Sequence, residues 1–323
     1  MSTWLVTGGA GYIGAHVVRD LLKQNFQVIV VDDLSTGLER KVPKEVKFYK
    51  CSVSDSKKLT NIMQENKVSG VIHLAAKKAV GESVLNPSLY YQENIGGMIS
   101  VLEAMKLSGV KKIVYSSSAA VYGTPKEDQV KEESNTNPES PYGETKLVGE
   151  WLLKADEKAR GIKWISLRYF NVVGSGSNEL GDTGINNLVP MVLAAITNNK
   201  KPQIFGEDYP TRDGTCVRDY IHVSDLSSAH IFAAQKLEDE KYCGLLNVGT
   251  GKGITVKEVI AMVAKVINRP LEFEIVERRK GDPPQTVADV TKAKNDLGWM
   301  AKYELEEMIQ SAWDAWQTFP PNK

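Results

Sequence analysis

Short apolar runs rich in Val and Ile recur through the first half of the chain: "TWLVTG" at 3–8, "QVIVVDD" at 27–33, "GVIHLAA" at 70–76, "KKIVYSSS" at 111–118 and "KWISLRYF" at 163–170. Between them lie longer segments whose apolar residues fall at helical spacing, such as "AHVVRDLLKQN" at 15–25 and "SLYYQENIGGMISVLEAMKLS" at 88–108. Near-continuous apolar strands imply a sheet covered on both faces, which is the parallel kind. Strand–helix alternation gives the same answer: an α/β doubly wound, Rossmann-type sheet.

The second half is less regular and reads as a smaller mixed α/β unit. "NNLVPMVLAAITNN" at 186–199 and "TVKEVIAMVAKVIN" at 255–268 predict helices, the latter opened by Thr255 and Glu258 at capping-box spacing. "LEFEIVERR" at 271–279 alternates like an exposed strand. "ELEEMIQSAWDAWQTF" at 304–319 predicts an amphipathic helix with Trp313 and Trp316 as packing residues. The stretch between Gly123 and Pro141, with Glu127, Asp128, Glu132 and Glu133, reads as a solvated loop. The expected division is 1–171 and 172–323, with a segment near 219–250 returning to the first unit.

Composition narrows the function classes. The chain has 323 residues, 42% hydrophobic and 25% charged, enough for a substantial core. Forty basic residues balance forty acidic ones, so no charge excess recruits nucleic acid or an anionic membrane. Cys51, Cys216 and Cys243 are widely spaced, which argues against a disulfide framework or a zinc site and for a reducing compartment. No apolar run approaches the ~20 residues of a membrane span, and a cytoplasmic protein without a bound metal is the expectation.

Candidate chemistry begins after the first strand. In "TGGAGYIG", Gly9, Gly11 and Gly14 match G-x-G-x-x-G, and Gly8, Gly11 and Gly14 match G-x-x-G-x-x-G. Glycines there permit a tight turn and close approach to a pyrophosphate, while the following helix offers free N–H groups. Asp32 ends the second strand about 20 residues further on, placed to accept from a ribose 2′-OH. Asp33 beside it is a second candidate. A carboxylate at this point repels a 2′-phosphate, which favours NAD over NADP.

"SSS" at 116–118 ends a strand on the ligand-binding side of such a sheet, and "SPYGETK" at 140–146 opens the next helix. Tyr142 and Lys146 are i and i+4, on one helix face. A free phenol titrates at ~10, so Lys146 and an oxidised nicotinamide are expected to lower it toward neutrality. A serine hydroxyl would hold the reacting oxygen.

Together these motifs resemble the extended short-chain dehydrogenase/reductase superfamily. "HLAAKKAVGESVLNP", "YYQEN", "SLRYFNVVG", "NNLVP", "IFGEDYPTRDGTCVRDYIHVSDL" and "ERRKGDPP" are similar to UDP-glucose 4-epimerases, from residue 3 to about 300. The resemblance implies Tyr142 as acid/base, Lys146 on the nicotinamide ribose and Ser118 on the sugar 4-OH. It implies an NAD site of Gly8, Gly11, Tyr12, Ile13, Gly14, Asp32, Asp33, Ser52, Val53, Lys78 and Asn94, joined by Tyr142 and Lys146. Ser52 stands where several relatives carry an acidic adenine contact. The UDP-sugar would be held by Asn171, Asn187, Leu188, Gln203, Phe205, Arg218, Arg279 and Asp282, the two arginines suiting a pyrophosphate. Thr286 stands where residue bulk sets the width of the sugar pocket, so an N-acetylated hexose is an expected second substrate. A homodimer through the helices at 88–108 and 142–160 is also implied.

Rival readings are another nucleotide-sugar epimerase, a 4,6-dehydratase or decarboxylase, and a non-catalytic NAD-sensing protein. A dehydratase carries an acid pair after the active-site hydroxyl, where this chain has Ala119 and Ala120.

Overall fold

The computed structural model describes residues 2–239, 242–279 and 281–320. Its strands are β1 (Thr3–Thr7), β2 (Gln27–Asp32), β3 (Lys47–Lys50), β4 (Gly70–His73), β5 (Lys112–Ser118), β6 (Lys163–Tyr169), β7 (Asn171–Val173), β8 (Gln203–Phe205), β9 (Val217–His222), β10 (Gly244–Val248), β11 (Gly253–Thr255), β12 (Glu274–Val276) and β13 (Gln285–Thr286). The α-helices are α1 (Tyr12–Lys23), α2 (Ser56–Glu65), α3 (Val80–Leu85), α4 (Pro87–Tyr90), α5 (Gly97–Ser108), α6 (Pro141–Arg160), α7 (Leu188–Thr197), α8 (Val223–Glu238), α9 (Val256–Val266) and α10 (Leu305–Thr318).

Seven parallel strands form the main sheet in the order β10-β6-β5-β4-β1-β2-β3. Period-two alternation sends successive residues to opposite faces. Trp4, Val6, Val28, Val30, Ile72, Val114 and Ile165 pack into one core with α1 and α8. Leu5, Ile29, Val31, Val71, Ile113 and Tyr115 pack into another with α2 and α5. The strands are therefore apolar at nearly every position because both faces are covered. Chain order reverses between β1 and β4, and such a switch opens a crevice at the strands' carboxyl ends.

A second sheet runs β11-β9-β13, with β7 also paired to β9, and β8 pairs with β12. The core beside them is built from α7, α9 and α10. α9 opens with the Thr255–Glu258 capping box that the spacing predicts. Trp316 is buried in this core and Trp313 packs against it. β9 lies in the second sheet, whereas α8 packs into the core beside the main sheet and β10 joins that sheet.

Three local readings need correction. The segment at 88–108 is not one α-helix: a π-helical stretch, Tyr91–Gly96, separates α4 from α5. "KFYK" is a strand, β3, whose charged ends gave no apolar run because it closes the sheet's edge. Glu132 is buried rather than solvated, and its carboxylate accepts the Asn247 N–H at 2.7 Å. Among the described residues no helix is long and apolar enough to cross a membrane, and all three cysteines are free thiols.

Candidate active site

The turn from β1 to α1 is a cradle that only glycine can line. Gly8 adopts φ +72°, and a Cβ on Gly14 would sit 2.1 Å from the Gly8 carbonyl oxygen. The Gly11 N–H donates to that oxygen at 3.1 Å. Gly11 caps α1 without any side-chain hydrogen bond, leaving the first-turn N–H groups for an anion. Residues and conformation thus fit a dinucleotide pyrophosphate.

Asp32, at the end of β2, is buried, and its carboxylate accepts the Ala10 N–H at 3.0 Å and the Leu34 N–H at 2.8 Å. It braces the glycine turn and retains lone pairs for a ribose hydroxyl. Burial raises its pKa, while these two hydrogen bonds oppose the rise. Asp33 is exposed, and its carboxylate accepts the Ser35 N–H at 2.8 Å, a local turn contact.

The other candidate cofactor residues have the following neighbours. The Tyr12 phenol donates to the Gly174 carbonyl at 2.5 Å, tying α1 to the strand after β6. Ile13 packs partly buried against the core. The Lys78 ammonium lies 3.8 Å from the Asp182 carboxylate and 6.0 Å from the Tyr12 ring centroid. Asn94, in the π-helical stretch, accepts the Lys77 N–H and donates to the Lys77 carbonyl and to Thr145 Oγ1. Its amide is thus committed to the protein, bracing the loop after β4 against α6. The Ser52 hydroxyl accepts the Ser54 N–H, and Val53 packs over Gly97, where a Cβ would meet it at 2.9 Å.

The three serines that end β5 have three different partners. The Ser116 carbonyl accepts from Lys146 Nζ at 2.8 Å, and its hydroxyl meets His230 Nε2 at 2.9 Å. The Ser117 hydroxyl donates to Glu150 at 2.6 Å. Ser118 is hydrogen-bonded to the Tyr142 phenol and accepts the Ala120 N–H at 3.2 Å. The i, i+4 spacing holds Lys146 beside Tyr142, its Nζ 5.8 Å from the ring centroid. Ser140 caps α6 by accepting the Gly143 N–H, so Tyr142 stands in the helix's first turn.

Electrostatics here depart from the sequence expectation. Burial pushes the Tyr142 phenol above its ordinary value, opposed by the Ser118 hydrogen bond. Burial also depresses the Lys146 ammonium to about 8. Lys146 therefore does not by itself make a phenolate of Tyr142. His73, beneath the crevice, bonds Thr7 Oγ1 through Nδ1 at 2.8 Å, and burial lowers it to about 3. A neutral imidazole so committed leaves the phenol as the group suited to proton transfer.

A cavity of about 760 Å³ opens in the second unit. Its walls include Asn171, Asn187, Leu188, Gln203, Phe205, Arg218, Arg279 and Asp282, the eight residues through which the resemblance implies that the UDP-sugar is held. Arg218 lies 3.5 Å from the Asp282 carboxylate and donates to the Pro283 carbonyl. The Arg279 guanidinium stacks 3.8 Å from the Phe205 ring centroid. Asn171, a wall residue, lies two residues beyond Tyr169, the register partner of Ser118, while Ser118, Tyr142 and Lys146 do not themselves line the cavity. Met191 and Val192 on α7, together with Cys216 and Tyr220, are among the other wall residues. Sequence reading missed these four, although the apolar spacing of α7 marked its inward face.

Thr286 is placed otherwise than expected. It is buried on β13, beside its register partner Arg218, and is not among the residues that line the cavity.

Residues 5–312 match the family described as GDP-mannose 4,6 dehydratase. The chain is 42% identical over 321 residues to a UDP-glucose 4-epimerase of Lactobacillus helveticus, covering 98% of this chain and 97% of that protein. Its fold superposes with a TM-score of 0.94 on the UDP-glucose 4-epimerase of Stenotrophomonas maltophila, solved with bound NAD and formylated UDP-arabinopyranose, at 39% identity and 98% coverage of both chains. It also superposes on the UDP-Glc/GlcNAc 4-epimerase of Campylobacter jejuni, with a TM-score of 0.86, 37% identity, and 98% and 99% coverage.

Proposed function

This chain belongs to the family described as GDP-mannose 4,6 dehydratase and to the UDP-glucose 4-epimerases, and from that premise we propose that it inverts C4 of a UDP-hexose with NAD as a retained cofactor. The observation that carries the proposal is the meeting of Tyr142, Ser118 and Lys146 in a protein that also holds a cavity walled by Arg218 and Arg279 and suited to a nucleotide diphosphate. Elimination of water is disfavoured because the positions after Ser118 are Ala119 and Ala120, which offer no acid or base. We assign NAD to the lobe of 1–171 with its returning segment, and the UDP-sugar to 172–323.

The chemistry that NAD supplies when bound is acceptance of hydride from C4 and its return to the same carbon. Tyr142 takes the 4-OH proton as the carbinol is oxidised and gives it back on reduction; Ser118 holds the sugar oxygen against the phenol. Burial disfavours the Tyr142 phenolate, and the positive charge that oxidised NAD would supply when bound would offset this. Arg218 and Arg279 anchor the diphosphate, so the hexose turns its other face without release of the 4-keto sugar. Binding energy placed on the nucleotide leaves the ring free to rotate.

The test is incubation with UDP-galactose and NMR resolution of the products. Conversion to UDP-glucose without net NADH is expected; a product lacking water, or NADH accumulating with turnover, overturns the proposal.

Acceptance of an N-acetylated hexose is favoured by the modest bulk of Thr286 beside Arg218. UDP-N-acetylgalactosamine is expected to convert as well, and Thr286→Tyr to lose that conversion more than tenfold while keeping UDP-galactose, since rejection of one bulky group is worth ~1–3 kcal/mol. Equal loss on both sugars would assign the residue to packing alone.

A second copy of the chain is proposed as partner through α5 and α6, where Ile99, Leu107 and Trp151 are 51%, 56% and 56% exposed. Sedimentation is expected to give a dimer that Trp151→Asp converts to monomer. A monomeric parent would end this reading.

A further inference from the structure

A buried row of polar side chains runs beneath the reacting groups. Ser117, Arg168 and Asn247 are register neighbours on β5, β6 and β10. Glu150, two helical turns beyond Tyr142 on α6, caps the row. Its carboxylate receives the Ser117 hydroxyl at 2.6 Å and both Arg168 Nε and NH2, at 2.8 and 2.6 Å. Arg168 NH1 then donates to the Tyr122 hydroxyl and the Glu132 carbonyl, and Tyr122 donates to Asn247. Ser117, Glu150 and Asn247 have no exposed surface, and Arg168 is 2% exposed.

Isolated burial of two full charges is costly, and an apolar pair of equal volume is often no less stable. Stability alone therefore gives no reason for this network here. Its position does. Glu150 is one turn from Lys146, and Ser117 is bonded through the backbone to Ser118. The bidentate contact thus ties the helix carrying Tyr142 and Lys146 to the strand carrying Ser118. α6 is also pressed to the sheet: a Cβ on Gly149 would lie 2.3 Å from the Tyr115 hydroxyl, and one on Gly143 would lie 2.6 Å from the Ala120 carbonyl. With no side chain there to space the two elements, a directional contact is needed to fix their offset.

We propose that Glu150, Arg168 and Ser117 are positioning residues that set the separation of Ser118 from Tyr142 and Lys146, a role that rests on the epimerase reading of that site. The effect falls on proton transfer and not on nucleotide binding, because none of the three lines the cavity.

The test uses full-length Ser117→Ala and Ser117→Thr, with Glu150→Gln/Arg168→Met as a charge-removed pair of similar volume. Ångström-scale misplacement of a reacting group costs up to ~100-fold. Ser117→Ala is expected to lower kcat about tenfold and to displace the acidic limb of the kcat/KM pH profile. The Kd for UDP should stay within about twofold, and Ser117→Thr should restore turnover. The double variant should show the same kcat loss at unchanged UDP affinity; if it does not fold, Ser117→Ala decides. Parent-like kcat and pH profile in Ser117→Ala, or a kcat loss matched by loss of UDP affinity, overturns the proposal. An inactive parent instead overturns the epimerase reading, so the two failures are distinguishable.

Discussion

Tyr142→Phe is expected to lower kcat by about 10²–10⁴ while the protein stays folded and retains its dinucleotide, because what disappears is acid/base help at one carbinol. The ring remains, and it is the ring that fills the buried site. The hydroxyl lost is one that burial already holds protonated, with Ser118 as its hydrogen-bond partner. The variant is thus expected to melt within a few degrees of the parent. Turnover of UDP-galactose and cofactor content by absorbance check both halves; near-parental turnover would remove Tyr142 from the reaction. The acidic limb of the parent's rate profile should be that of a group whose charge depends on the bound cofactor, since the protein environment by itself works against the phenolate.

Lys146→Met is expected to do two opposite things. It should abolish most turnover, ~10²-fold or more, by removing the cation beside the phenol. It should also stabilise the unliganded protein at neutral pH. Burial depresses the Lys146 pKa from 10.5 to about 8, and a shift of that size corresponds to about 3 kcal/mol against the folded state when the ammonium is charged. Between pH 8 and 10.5 the unfolded chain binds more protons at this site than the folded one, so the penalty is full below 8 and gone above 10.5. The Ser116 hydrogen bond lost with the ammonium offsets part of the gain, leaving ~1–2 kcal/mol. Thermal melting at pH 7 should therefore place the Lys146→Met variant above the parent, with the lead closing as pH rises toward 10.5. A lead independent of pH, or a less stable variant, contradicts this account.

How much of this was legible beforehand differs between the two halves. β1, β2, β4, β5 and β6 announce themselves because a strand covered on both faces must be apolar at successive positions. β3 does not, because an edge strand is exempt from that rule. α9 is legible from its capping box, whose two hydrogen bonds are both local. The π-helical turn at Tyr91–Gly96 is not, and the partners of Asn94 within it, Lys77 and Thr145, lie 17 and 51 residues away. Glu132 looked solvated among acidic neighbours, and its partner is the backbone of Asn247 on a distant strand.

The local sequence by itself determined what its own spacing can enforce. The glycine turn follows from where a Cβ is forbidden, the Tyr142–Lys146 pair from the pitch of one helix, and the layered sheet from period-two burial. Resemblance added eight residues scattered from 171 to 282, which no periodicity connects. Only the tertiary structure decided that those eight share one cavity, that Thr286 stands beside Arg218, and that Lys146 is depressed. It also decided that the three serines serve three different partners. Side-chain direction at a strand's end and the desolvation of a charge depend on which elements arrive from elsewhere in the chain. Those are many-body quantities, and a single line of residues carries no term for them.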